Sequence, residues 1–509
     1  MSESNRTSTD ASAAKRRAAL GTYADMRAPR SVMIAFLVIA FALLLVPSAG
    51  MTWAATNSTT ENRELAPAPT LFDEAGALNV AFLSDAGTYF NDHFAYRNLL
   101  VAANARWKAL FCVSASDQVV LGTDGWLYYA GTLPDFERTD VLSDRALENI
   151  AHNLRMTQDY VEAHDAVFAF TLVPNKNTLF PDNMPYYHLA GEGLSNAERL
   201  KPFLEAEQVT YIDLFSFLST PGKARYLKTD SHWDNATALL AGNELLTAIG
   251  YDPVPLDASK AVAREDFVGD LENMLFPAGQ QPEINQYFPH VNDGEAPTNL
   301  SWGYVSGSSV EDDWIQTESD APYGNVLVFR DSFGNALLPL WASAIRSVTF
   351  SKLIPYNLPI MATVGADAVV IERAERHLGF LADTAPVFPN PTVRGVKWEE
   401  NDDTPSAGAS LSASLDGSYL TLQGTVDEHA CGSVKRLYVA IEDAEGAMRV
   451  YKPFWIRVAC EGQALFNDFG FQVYLPDGES AIEGSRVHVC AFDNEGLAHV
   501  DVFEEVSVQ

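Results

Sequence analysis

The sequence predicts an α/β domain built on a mostly parallel sheet, carried on one N-terminal membrane helix and followed by a small all-β sandwich. Three observations predict this. An unbroken apolar run follows Arg30. From Leu71 to about Asn390, short apolar strands alternate with amphipathic helices. Beyond that point, short alternating strands are separated by Asp-Gly, Glu-Gly and Pro-Asp-Gly turns. The 509 residues are 47% hydrophobic and 20% charged, enough for at least one large core and against wholesale disorder. A net charge of −33 argues against nucleic acid as a partner, because phosphate binding needs a basic surface.

Residues 1–30 read as a disordered cytoplasmic tail in which Arg6, Lys15, Arg16, Arg17, Arg27 and Arg30 outnumber Glu3, Asp10 and Asp25. No charged side chain follows until Glu61, and Val32–Val46 is apolar throughout. At about 1.5 Å per residue, a helix over 31–55 can span a hydrocarbon core of roughly 30 Å. The basic residues before it place 56–509 outside the cytoplasm, in a single-pass arrangement with Trp53 at an interface. A cleaved signal peptide is the competing reading, with small residues near Ser48–Gly50 or Ala54–Ala55. The long tail favours an uncleaved signal-anchor. Residues 56–70 read as a polar, Pro-broken linker. Four cysteines (Cys112, Cys431, Cys460, Cys490) in an exported protein allow three disulfide pairings, which spacing does not distinguish.

Over 71–390, strands are expected at Val167–Val173, Val209–Leu214, Asn325–Phe329, Ser347–Phe350 and Ala368–Ile371. Helices are expected at Asp144–His164 and at Ala236–Ile249, the latter stopped by Gly250. Residues 391–407 form a Pro-rich, acidic linker. Over 408–509, strands are expected at Tyr419–Gln423, Arg436–Glu442, Pro453–Val458, Phe469–Tyr474 and Ser485–Phe492, which suits a sandwich.

Two short stretches carry the chemistry. Lys228-Thr-Asp-Ser-His-Trp-Asp234 packs Asp230, His232 and Asp234 in front of a helix. Val326-Leu-Val-Phe-Arg-Asp-Ser-Phe-Gly334 runs a buried-looking strand into Asp-Ser-x-Gly. A serine entering a turn after a strand meets converging N–H groups able to hold an oxyanion, and a histidine oriented by a nearby aspartate can act as its base. Either stretch alone reads first as an N-cap or a strand-to-helix turn. Together, in one exported domain, they point to a Ser332/His232/Asp230 unit. The spacing matches no standard zinc or calcium loop, and neither metal nor cofactor is expected. Asp92, His93 and Arg97 read as a structural polar cluster. Trp126 reads as core, and so do Tyr438, Tyr451, Trp455 and Phe471. Arg373 and Arg376 are expected to pair with acidic neighbours.

On these residues the chain resembles the AlgX/AlgJ-like, DHHW-type proteins with an SGNH-hydrolase-like domain in permuted motif order. The resemblance covers about residues 60–390. It is carried by Asn62-Arg-Glu-Leu-Ala-Pro, Phe90-Asn-Asp-His-Phe-Ala-Tyr-Arg97, Gly122-Thr-Asp-Gly-Trp-Leu-Tyr128 and Val173-Pro-Asn-Lys176. It continues through Thr229-Asp-Ser-His-Trp233, Gly269-Asp-Leu271, Arg330-Asp-Ser-Phe-Gly334 and Ile371-Glu-Arg-Ala-Glu-Arg376. It implies Ser332 as nucleophile, His232 as base and Asp230 as the group orienting it. It also implies O-acetylation of an exported polysaccharide, with acetyl groups relayed by a membrane-bound O-acyltransferase. The same triad suits a carbohydrate acetylesterase, and a non-catalytic glycan-binding or assembly factor is the alternative from another class. Arg330 departs from the Gly-Asp-Ser block usual in such enzymes. Asn175 and Lys176 are the candidate substrate-binding donors beside the Ser332 amide.

Overall fold

The computed structural model describes residues 29–54, 65–72, 76–223, 225–255, 258–288, 302–399, 401, 403–416, 419–431, 434–459, 466–476, 482, 484–504, 506 and 508. Residues 1–28 of the expected tail, residues 56–64 of the expected linker and Cys460 lie outside these residues. Two compact units are present. One comprises the chain up to Phe111 with Asn273–Gln280, the other Cys112–Glu272 with Gln281–Gln509.

The first unit begins with helix α1 (Arg30–Ala54), whose apolar side chains are almost all exposed. Its stretch Arg30–Met51 is long and apolar enough to cross a membrane, or to serve as a signal sequence. Two further helices follow, α2 (Phe82–His93) and α3 (Arg97–Ala109). Of the polar cluster expected here, Arg97 Nε donates to the Asn91 carbonyl at 3.1 Å. Asp92 accepts the Ala66 N–H at 2.8 Å, and His93 Nε2 lies 2.9 Å from the Ala66 carbonyl.

The second unit is organised around a seven-stranded sheet. Its strands are β1 (Val167–Val173), β2 (Tyr211–Ile212), β3 (Trp302–Ser306), β4 (Trp314–Ser319), β5 (Asn325–Phe329), β6 (Ser347–Ser351) and β7 (Ala368–Ala374), in the order β2-β1-β7-β5-β6-β4-β3. The first five in that order are parallel, and β4 and β3 add an antiparallel edge. Side chains alternate between two cores because the strand period is two. Phe168, Phe170 and Leu172 face helix α4 (Asp144–Glu162), while Ala169 and Val173 share the opposite core with α5 (Asn235–Ala248) and α6 (Leu338–Ala344). With both faces covered, the central strands are apolar runs rather than alternating ones. Helix α4 stops two residues before the expected His164, and Asp165 turns the chain at φ +59. Helix α5 stops at Ala248, followed by Gly250 at φ +84, a backbone region that glycine enters without steric cost.

The C-terminal strands are β8 (Ser410–Asp416), β9 (Tyr419–Thr425), β10 (Arg436–Glu442), β11 (Met448–Tyr451), β12 (Phe454–Ala459), β13 (Phe466–Leu475), β14 (Arg486–Phe492) and β15 (Ala498–Phe503). They form two antiparallel sheets, β8-β9-β13-β12 and β11-β10-β14-β15, around a core that includes Tyr451, Trp455 and Phe471. These aromatic rings are buried packing. Phe454, Ile456 and Tyr474 instead join the core beneath α4. Asn153 of α4 braces that contact, donating to the Trp455 carbonyl at 2.6 Å and accepting its N–H at 3.0 Å.

Candidate active site

Ser332 stands at the carboxyl end of β5, where open parallel sheets commonly place their sites. Four buried residues, Val326–Phe329, drive the strand into the interior, and Asp331 then turns the chain by capping a short 3₁₀ segment. Its carboxylate accepts the Phe333 N–H at 2.9 Å, the Ala374 N–H at 2.7 Å and His377 Nδ1 at 2.8 Å. Arg330, which departs from the usual Gly-Asp-Ser block, is fully buried and acts as a strut. It donates to the carbonyls of Val310 (2.8 Å) and Asp312 (3.3 Å) and to the Asn335 side chain. Its stem crosses Gly334, where a Cβ would come within 2.6 Å of Arg330 Cδ. The glycine is therefore required by close approach, its φ being ordinary.

Asp230 and His232 arrive on the loop before α5. Ser332 Oγ lies 2.8 Å from His232 Nε2, and His232 Nδ1 lies 2.7 Å from Asp230 Oδ1. An ionised carboxylate only accepts, so the proton sits on Nδ1 and Nε2 is left to accept from the serine hydroxyl. Burial pulls the imidazole pKa down, but the Asp230 charge and hydrogen bond, helped by Asp270, outweigh it and hold His232 above its ordinary value. Asp230 is fixed from three sides: its carboxylate also accepts the N–H groups of His232 and Asp270, both at 2.8 Å. Despite the cost of burial, these contacts hold its pKa below the usual carboxylate range. Asp234 has a separate job. It caps α5 by accepting the Thr237 N–H at 2.8 Å.

The two expected substrate donors are used elsewhere. Lys176 is buried, and its three ammonium protons meet the carbonyls of Leu127 (2.6 Å), Lys228 (2.7 Å) and Asp230 (2.8 Å). Burial pushes its pKa down to about 7, while the faces of Trp126 and Tyr128, 5.1 and 5.3 Å away, favour the cation. It pins the loop that carries Asp230. Asn175 is also buried, with its side chain donating to Asp135 at 3.3 Å and its backbone N–H to Glu375 at 2.9 Å. Among the described residues, the Ser332 N–H has no hydrogen-bond acceptor.

Several neighbours escaped the sequence reading. Asp270 accepts from the Ser231 N–H (2.7 Å) and hydroxyl (2.6 Å), and its Oδ2 lies 3.7 Å from His232 Nδ1. Gly269 before it allows the approach, since a Cβ there would sit 2.1 Å from the Thr229 carbonyl oxygen. The Gly-Asp-Leu motif was the available signal. Glu372, fully buried within β7, accepts the Asp331 N–H at 3.2 Å. Burial, reinforced by the Asp331 charge, raises its pKa well above the usual range. Arg373 and Arg376 make no salt bridge within 4 Å among the described residues, but their charges help hold Asp331 below the usual carboxylate range. Arg373 donates to the Arg330 carbonyl at 3.4 Å, and the Arg376 guanidinium lies over the rings of Phe333 (5.3 Å) and Tyr129 (5.6 Å). Ligand atoms of Asp230, His232 and Asp270 lie within 4.8 Å of one another, close enough to surround a cation. Each carboxylate already accepts N–H or O–H donors, which suits a hydrogen-bonded dyad better than a metal.

Residues 119–299 match the family model described as the SGNH hydrolase-like domain of the acetyltransferase AlgX. The matched stretch includes Asp230 and His232 and ends before Ser332. No curated protein matches the chain. Similar solved structures include PatB1 of Bacillus cereus, at 19% identity over 50% of this chain and 95% of that one, with a TM-score of 0.39. The O-acetyltransferase domain of Pseudomonas putida AlgJ is similar at 18% identity over 51% and 91%, with a TM-score of 0.33. AlgX of Pseudomonas aeruginosa is similar at 12% identity over 75% and 89%, with a TM-score of 0.32.

Proposed function

We propose, from the premise that this chain carries an AlgX-type SGNH hydrolase-like domain, that it is a membrane-anchored O-acyltransferase moving acetyl groups onto an exported polysaccharide. The observation that carries the reading is the continuous hydrogen-bonded line Asp230–His232–Ser332, at 2.7 and 2.8 Å. In the first half-reaction, Ser332 Oγ attacks the carbonyl carbon of an acyl ester as His232 Nε2 takes the hydroxyl proton. The Ser332 N–H supports the negative oxygen of the tetrahedral intermediate. The leaving oxygen departs with the proton from Nε2, and an acetyl-serine remains. In the second half, a sugar hydroxyl gives its proton to Nε2 and attacks the acetyl carbon, and Ser332 leaves reprotonated.

Water entering in place of the sugar gives acetylesterase chemistry at the same atoms. Both Ser332 and His232 are partly exposed, which leaves room for either acceptor. A membrane-bound O-acyltransferase is the proposed acetyl source. Helix α1 is the proposed anchor, with the basic tail on the cytoplasmic side and both later domains outside. The test is mass spectrometry of the full chain after brief exposure to an activated acetyl ester. The expected result is an acetyl adduct on Ser332, absent from Ser332→Ala and discharged faster by oligosaccharide than by water. Normal ester turnover by a folded Ser332→Ala protein would overturn the proposal.

A further inference from the structure

Helix α3 carries an apolar stripe that no described residue covers. Leu99, Leu100, Ala103, Trp107, Leu110 and Phe111 recur at helical spacing along it and just beyond its end, and all are exposed, Trp107 at 63% and Leu110 at 75%. Single exposed apolar residues are ordinary, but a continuous stripe marks an interaction face. Two observations identify what covers it. First, the elbow between α2 and α3 is seated on α1: the Ala95 N–H donates to the Pro47 carbonyl at 3.2 Å. At Gly50 any Cβ would come within 2.5 Å of Ala95 Cβ. Gly50 lies four residues before the end of α1, about 6 Å along the axis at the usual helical rise. The start of α3 is therefore held at the level where a spanning α1 would leave the hydrocarbon. Second, the charge of α3 is opposite to that of the protein. It holds Arg97, Arg106 and Lys108 and no acidic residue, in a chain of net charge −33.

We infer that α3 lies in the outer membrane–water interface, its Leu99–Trp107–Leu110 stripe among acyl chains and its basic residues among anionic headgroups. Basic flanks, an interfacial tryptophan and a leucine-rich face are what such a helix needs, and Arg and Lys stems cover apolar surface while their charges stay wet. An apolar patch alone would fit a protein equally well; the seat on α1 and the reversed charge favour lipid. The inference rests on α1 being a membrane span and makes the anchor a two-point one.

The test uses the full chain reconstituted into vesicles of phosphatidylcholine and phosphatidylglycerol, with or without lipids brominated near the glycerol end of their chains. Trp107 emission is isolated as the difference between the wild type and Trp107→Phe, which cancels Trp53. The expected result is co-flotation with the vesicles and loss of Trp107 emission in brominated ones. A Leu99→Asp/Leu110→Asp variant, altered only at exposed positions, should still float yet keep its Trp107 emission. Wild-type protein that floats with Trp107 unquenched overturns the inference and leaves α1 as an anchor, returning the stripe to a protein partner. Protein that does not float removes the anchor and the inference with it.

Discussion

With Nδ1 held by Asp230, only Nε2 of His232 can take the Ser332 proton, so turnover should follow the neutral imidazole. The Asp230 charge raises the His232 pKa above 6.5 and so favours the protonated, inactive form. Turnover should therefore rise with pH, with a midpoint above 6.5 in the free enzyme, and Asp230→Asn should lower both the midpoint and the plateau. The pH profile of kcat/KM for an acyl ester checks this; an unmoved midpoint in Asp230→Asn would count against the dyad. Glu372 offers a second residue-scale test. Because burial and the Asp331 charge raise the Glu372 pKa, Glu372→Gln should change stability by no more than about 1 kcal/mol, since the amide oxygen still accepts the Asp331 N–H. Glu372→Ala leaves that N–H without an acceptor and opens space beside Asp331 and Gly334, at a cost of about 2–3 kcal/mol. Denaturant unfolding of both variants separates the two expectations, and equal losses would mean the carboxyl is ionised.

Among the elements, the loop before α5 assigns its two outer acids to unlike tasks. Asp230 orients His232, whereas Asp234 caps the helix. Asp234→Ala should cost about 1 kcal/mol of stability, a typical value for a lost N-cap. Turnover at low temperature should survive, because Lys176 and the Asp270 N–H still hold Asp230. Thermal unfolding and ester turnover measured together check both halves. The central strands β1, β5, β6 and β7 were legible as apolar runs bounded by turns. The edge strands β3 and β4 were not. Their antiparallel pairing leaves one side polar, as in Trp314–Ser319, where β4 is buried by its pairing with β6, while β3 pairs only with β4 and stays largely exposed. β2 is two residues long because only Tyr211 and Ile212 pair with β1.

For the whole molecule, the C-terminal β-sandwich keeps its own core while lending Phe454, Ile456 and Tyr474 to the core under α4. We expect residues 408–509 alone to give a β-rich far-UV spectrum, with lower thermal stability than in the full chain, because those three side chains and the Asn153 partner groups of Trp455 then face water. A helical or unfolded spectrum would count against a boundary at 391–407. The sequence by itself determined the apolar α1, the strand-to-turn passage at Ser332, the Asp-x-His pair and the change to short strands after residue 390. Each of these is written in period, composition or turn chemistry over a few neighbouring residues. Only the tertiary structure decided that His232 meets Ser332 across 100 residues of chain, that Gly269 brings Asp270 up to the dyad, and that Lys176 donates to three backbone carbonyls. Those outcomes depend on which carbonyls and carboxylates the sheet brings within 3 Å of a buried group, and local sequence carries no record of neighbours chosen by long-range packing.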